Sequence, residues 1–177
     1  MKVKVFPNFS VSREIRDYAR ELTLFLGDKW NSQSLDPSSH TLYTGALKNY
    51  FPSVLDALSG NMNGKAVLDL GCGSNNTPFG YEPWLCRILS EVSQYHRFRT
   101  RVIGVDHGDL SGEMFETHQI DLTTENLPFG NNTVNVATAF NLYDSPDLQN
   151  VCGTKRSLEN QLKKIIVPKG VFIYSPV

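Results

Sequence analysis

The apolar positions change period along the chain, and the change divides it. Lys2 to Phe6 alternates charged and apolar residues, a short strand pattern closed by Pro7. From Ser12 to Leu26 the apolar residues Ile15, Tyr18, Ala19, Leu22, Phe25 and Leu26 recur at helical spacing, with Gly27 as the expected stop. Asp28 to Ser39 is polar and reads as a loop. A second helical stripe runs from Leu42 to Leu58, and Pro52 inside it predicts a kink or a fresh helix start. That stripe reads as core-facing packing; the alternative is that part of it also roofs a substrate pocket.

After Gly64 the pattern becomes a series of short apolar runs: Ala66 to Leu70, Arg101 to Val105, Phe115 to Asp121, Val134 to Phe140 and Val171 to Tyr174. Helical segments at about Pro83 to Tyr95 and Thr154 to Ile166 sit between some of them. Strands alternating with helices imply an α/β architecture, a mostly parallel sheet covered on both faces. Residues 1–63 are expected to form an N-terminal strand and helical segment packed on a core made by residues 64–177, one compact domain in all. Such sheets bind ligands beyond the carboxyl ends of their strands, where strand order reverses. The residues just after each run are therefore where chemistry is expected.

Composition narrows the classes. With 177 residues, 40% of them hydrophobic and 20% charged, the chain can bury a core without disulfides or metals. Lys and Arg total 17 against 18 Asp and Glu, a net charge of −1, which gives no global reason to expect nucleic acid or an anionic membrane as partner. The three cysteines, Cys72, Cys86 and Cys152, match neither a disulfide framework nor a zinc site, and no metal is expected. The N-terminus lacks the apolar stretch of a signal peptide, and no run approaches the roughly 20 apolar residues of a membrane span. A cytoplasmic setting is the expectation.

The strongest chemical signal is Val67-Leu68-Asp69-Leu70-Gly71-Cys72-Gly73-Ser74. A buried strand runs into an acid and two glycines, which let the backbone turn sharply and approach a ligand. The dinucleotide fingerprint wants a glycine where this chain has Asn76, and an acid about 20 residues on. The candidate acid, Asp106, comes later than that, and no Gly-Lys-Ser/Thr follows the turn either, so the nicotinamide and phosphate-loop readings are disfavoured. Asp106 ends the second run and can accept hydrogen bonds from two adjacent ribose hydroxyls. His107 could stack on an adenine face or cap the next turn. Asp121 can accept from an exocyclic amine while the Leu122 amide reads a ring nitrogen, or Asp121 is a turn residue.

In this order the motifs, with Ile-Gly-Val-Asp, Ile-Asp-Leu before Leu-Pro-Phe, Val-Asn-Val-Ala-Thr-Ala-Phe-Asn and Ile-Val-Pro-Lys-Gly-Val-Phe-Ile-Tyr, resemble the class I S-adenosylmethionine-dependent methyltransferases over residues 64–177. The resemblance implies a Rossmann-like three-layer sandwich. It implies that Asp69 and the turn Gly71, Cys72, Gly73 and Ser74 hold the methionine part of S-adenosylmethionine. Asp106 with His107 would then take the ribose and adenine face, Asp121 with Leu122 the adenine edge, and Asn141 the cofactor floor. Three features depart from the family pattern. Asn75 stands where another glycine is usual. Thr77 to Glu82 lengthen the connection to the next helix, bringing Tyr81 and, just beyond it, Trp84 near the site. The usual C-terminal β-hairpin after the fifth strand is lacking, so an open sheet edge needs a cover: the Lys2 to Phe6 strand, or a second subunit in a homodimer.

The implied activity is methyl transfer to a small-molecule acceptor by in-line displacement. Tyr143 is a candidate pocket wall. Asp144 is a candidate base, although Asp144-Ser145-Pro146 also reads as a turn. The basic patch His96 to Arg101 and the pair Lys163-Lys164 fall at helix ends, where cations offset the dipole. Two other readings stay open: a non-catalytic binding or regulatory protein that keeps the fold, and a methyltransferase acting on nucleic acid or protein.

Overall fold

Successive residues of a strand point to opposite faces, and in this sheet both faces are apolar. Val67 of β2 (Ala66–Leu70) joins one core, while Leu68 and Leu70 join another. In β3 (Arg101–Asp106) Val102 takes the first side and Ile103 and Val105 the second. β5 (Val134–Ala139) and β6 (Ile166–Tyr174) divide the same way. This double burial is why the runs read as almost continuously apolar. The computed structural model describes residues 1–31, 37–75, 81–140, 142 and 154–175. With β1 (Lys2–Val5) and β4 (Glu116–Gln119), the strands form one sheet in the order β1-β6-β5-β2-β3-β4, every pairing parallel.

Helices cover both faces, giving a Rossmann-like three-layer α/β fold. On one side lie α1 (Arg13–Asn31), α2 (Pro37–Gly45), α3 (Phe51–Ala57) and α4 (Trp84–Tyr95), around the buried Leu26, Phe51, Val54, Leu55 and Leu89. On the other, α5 (Thr154–Ile165) inserts Leu158, Leu162 and Ile165. Helix α1 runs four residues past Gly27. Leu26 is fully buried, and Lys29 reaches Glu91 of α4 at 2.5 Å, so packing on both sides of the glycine outweighs its low helix propensity. Pro52 is accommodated by a π-helical turn, Ala46–Tyr50, whose geometry lets the Phe51 amide reach back five residues to the Ala46 carbonyl. The second helix begins at Pro37, within the stretch expected as loop.

β2 lies between β3 and β5, so strand order reverses there and the crevice beyond its carboxyl end is the switch point. The far edge of β6 is covered by the chain's own N-terminus. Lys2 to Val5 pair with Val171 to Tyr174, and the Phe6 amide continues the ladder to the Tyr174 carbonyl at 2.8 Å. Lys4 locks β1 to α3 through Asp56 at 2.5 Å. Phe6 then packs edge-on against Tyr50 and Phe140, whose rings stack 4.0 Å apart. The N-terminal strand thus closes the sheet and braces one wall of the switch-point crevice.

Candidate functional site

Asp69 and Thr138 are register partners across β2 and β5, so both side chains leave the same face at the switch point. The Thr138 hydroxyl donates to Asp69 Oδ1 at 2.6 Å, and the Cys86 thiol of α4 lies 3.9 Å from Oδ2. These are neutral donors, and the nearest charge acting on Asp69 is another carboxylate, Asp106. Burial therefore pushes the Asp69 carboxyl up to about 7, the Thr138 and Cys86 hydrogen bonds only partly resisting and Asp106 adding to the rise. The same burial raises the Cys86 thiol. At Cys72 a hydrogen bond with Cys86 pulls downward, but burial and the Asp69 and Asp106 carboxylates outweigh it and the thiol is raised. Neither sulfur is a thiolate nucleophile near neutrality.

Asp106 ends β3 and is 7% exposed. Its carboxylate accepts from the Gly73 amide (2.9 Å to Oδ2) and from the Gly108 amide (2.9 Å to Oδ1). The acid singled out for a ribose thus also fixes the glycine turn to the β3 loop. A carboxylate offers about four lone-pair positions, so two remain. His107 is largely exposed, its Nδ1 3.5 Å from Asp106 Oδ1. Ser74 is buried with its Oγ unpartnered, pressed against Gly108. Asn75 does not use a left-handed backbone. Its amide bonds to the Asp109 carbonyl at 3.1 Å, and its side chain bridges the Ser111 carbonyl and Arg87.

Asp121 forms a turn. Its Oδ1 accepts from the Thr123 amide and hydroxyl, and Glu125 returns to the Asp121 amide at 3.0 Å. The hydrogen bonds from Thr123 hold its carboxyl below the usual range. Leu122 packs on the second core. Asn141, Tyr143 and Asp144 lie outside the described residues.

A cavity of about 110 Å³ opens above Asp69, Gly71 and Cys72. Tyr50, Tyr81, Trp84 and Phe140 wall it, Leu42 and Ala46 roof it, and Glu82 supplies a second carboxylate. Among the described residues no Lys, Arg or His lines it. Sequence reading missed Thr138, Cys86, Glu82, Arg87 and Glu113, which meet the site only through sheet register or distant pairing. Among the described residues no three His, Cys, Asp or Glu side chains converge as a metal site, and no helix is long and apolar enough to cross a membrane.

No family model and no curated protein matches the sequence. Two solved structures are similar in fold. One is a protein from Methanococcus maripaludis described as a candidate S-adenosyl-L-methionine-dependent methyltransferase, 14% identical, with a TM-score of 0.46. The match covers 77% of this chain and 58% of that one. The other is geranyl diphosphate C-methyltransferase from Streptomyces coelicolor A3(2), in complex with Mg2+, geranyl diphosphate and S-adenosyl-L-homocysteine. It is 14% identical, with a TM-score of 0.37, covering 96% of this chain and 66% of that one. The chain therefore spans less than two thirds of the length of either. At these scores neither neighbour bears on the site, and the roles of its residues rest on the geometry above.

Proposed function

We propose that the chain is an S-adenosylmethionine-dependent methyltransferase with a small-molecule acceptor. The observation that carries this reading is a pair of buried carboxyls at the switch point, Asp69 beneath the cavity and Asp106 at the end of the neighbouring strand, with no cationic side chain among the described residues that line the cavity. Such a place suits a ligand that brings its own positive charge and its own hydroxyls. The residues present fit such a ligand: Asp106, with two lone-pair positions left, would hold ribose hydroxyls, Asp69 would hold a cationic amino-acid arm, and the buried Ser74 Oγ would gain a partner. When bound, S-adenosylmethionine supplies an electrophilic methyl on a sulfonium. The protein's own part is placement. Asp106 holds the Gly73 amide and the Gly108 loop in register, and the rings of Tyr50, Trp84 and Phe140 give the cavity an aromatic wall. The acceptor would enter between the N-terminal helices and the aromatic wall.

The test is calorimetry with S-adenosylmethionine and S-adenosylhomocysteine. Asp106→Ala should lose most of the affinity, at least tenfold for one charge-assisted hydrogen-bonding group, whereas Arg99→Ala in the basic patch should lose none. Absence of binding to the wild type, or equal losses in both variants, refutes the reading. If binding is seen, a methyl-transfer assay over a panel of small acceptors, with a protein and an RNA included, separates the small-molecule reading from its alternatives.

A further inference from the structure

The candidate cradle is covered by the chain itself. The backbone of Tyr81 and Glu82 passes so close to Gly73 that a β-carbon there would lie 2.4 Å from the Tyr81 carbonyl oxygen and 2.9 Å from the Glu82 carbonyl carbon. Gly73, at φ +95°, is thus required by the chain's own return as much as by any ligand. The Ser74 amide, a natural anion donor at such a turn, is spent on the Tyr81 carbonyl at 2.8 Å. A ligand arm lying over Gly73 needs the space and the donor that this backbone now takes. The cavity that remains, about 110 Å³, holds a small group and not a nucleoside with an amino-acid arm.

Glu82 anchors that backbone on two sides. Ser39 of α2, almost fully buried, donates its hydroxyl to Oε1 at 2.7 Å, and Arg87 of α4 donates through Nη1 to Oε2. The rest of the Arg87 guanidinium is held by Glu113 at 2.6 to 3.1 Å and by Asn75 Oδ1 at 2.7 Å. It also lies over the Trp84 ring, 4.9 Å from its centroid. One guanidinium therefore ties together the segment over Gly73, the glycine turn and the β3–β4 loop. Because Glu113 and Asn75 keep Arg87 in place, the bonds to Glu82 can open without dissolving the rest of the cluster.

We propose that Tyr81–Glu82 is a strap that excludes the cofactor from the Gly73 cradle, and that the latch of Glu82 to Ser39 and Arg87 sets cofactor affinity. This rests on the S-adenosylmethionine reading above. A ligand that binds only the open strap has its affinity reduced by the open fraction, so weakening the latch strengthens binding. That sign separates a strap from an ordinary binding residue, whose loss weakens binding.

The experiment uses two variants of the full chain. Glu82→Gln keeps the shape and removes the charge that Arg87 grips, and Ser39→Ala removes the other anchor without touching Arg87. Two quantities are read for each: hydrogen exchange at the Ser74 amide, and calorimetric affinity for S-adenosylhomocysteine. Faster Ser74 exchange is expected in both variants, with binding tightened about three- to tenfold. Ser74 exchange unchanged in both variants overturns the latch. Faster exchange with unchanged or weaker binding overturns the strap as an excluder while the cofactor reading stands. Absence of binding to the wild type overturns the cofactor reading, and the excluder with it.

Discussion

The Asp69→Asn substitution tests the central electrostatic claim, that a carboxyl is held at the switch point without a counter-cation. In the fold this group titrates at about 7, and its ordinary value is 3.8. A raised carboxyl binds its proton more tightly in the folded than in the unfolded chain. Its contribution to stability is therefore fully present below 3.8 and is lost as the pH rises to about 7. Between those limits the folded protein holds one proton more than the unfolded, and stability falls by about 1.4 kcal/mol per pH unit on this group's account. From about pH 5 to pH 8 the loss is roughly 3 kcal/mol. Asparagine is neutral throughout, keeps an acceptor for the Thr138 hydroxyl, and cannot pay this cost. Urea unfolding of both proteins at pH 5, 6, 7 and 8 supplies the comparison. The quantity to follow is the difference between them, because groups with lowered values, such as Asp109, Glu116 and Asp121, contribute equally to both and cancel. Asp69→Asn should gain on the wild type by about 3 kcal/mol across that range. A constant offset would mean that Asp69 stays ionised and solvated, and would remove the basis for reading the site as one that attracts a cation.

Three further outcomes follow from the same structure. Phe51→Ala empties a fully buried position at the start of α3 and should cost about 3 to 5 kcal/mol in urea unfolding, like other buried phenylalanines. Breaking the bidentate Arg101–Glu116 pair by Arg101→Gln should cost less than about 1 kcal/mol, and less still in salt, since Arg101 is half exposed; unfolding at two salt concentrations checks this. Gly108→Ala brings a β-carbon to 2.1 Å from Ser74 Oγ and should loosen the glycine turn, seen as faster hydrogen exchange at the Gly73 amide that Asp106 now holds.

The inner strands β2, β3, β5 and β6 were largely legible because they are buried on both faces, and short, mostly apolar runs leave few other readings. β6 is longer than its apolar pattern, since Pro168 and Lys169 bulge outward while Ile166 rejoins β5 beside Val134. The helix ends were less legible. Gly27 and the polar stretch after it carry the ordinary stop signals, and contacts made by Leu26 and Lys29 override them. At the site, Asp69, the glycine turn and Asp106 could be read because each sits at the end of a recognisable run. Thr138 could not be, because its meeting with Asp69 is fixed by β2–β5 register. Arg87, Glu82 and Glu113 could not be either: the Arg87–Glu113 pair joins residues 26 apart, and no periodicity announces such a pairing.

The two site carboxyls have different partners, and the difference follows from position. Asp106 stands one strand out from the switch point, where the loops after β2 and β3 meet, and backbone amides from both loops are within reach of its oxygens. Each of its oxygens thus has a backbone amide as partner. Asp69 lies below, still inside the β2 ladder, where its neighbours' amides are committed to strand pairing and only a hydroxyl and a thiol face it. Burial outweighs what that hydroxyl and thiol offer the ionised form, and the carboxyl is raised to about 7. A cationic ligand arriving above Asp69 would supply the missing charge and draw the carboxyl into its ionised form. The strand that positions Asp69 therefore also leaves it without a counter-charge among the described residues.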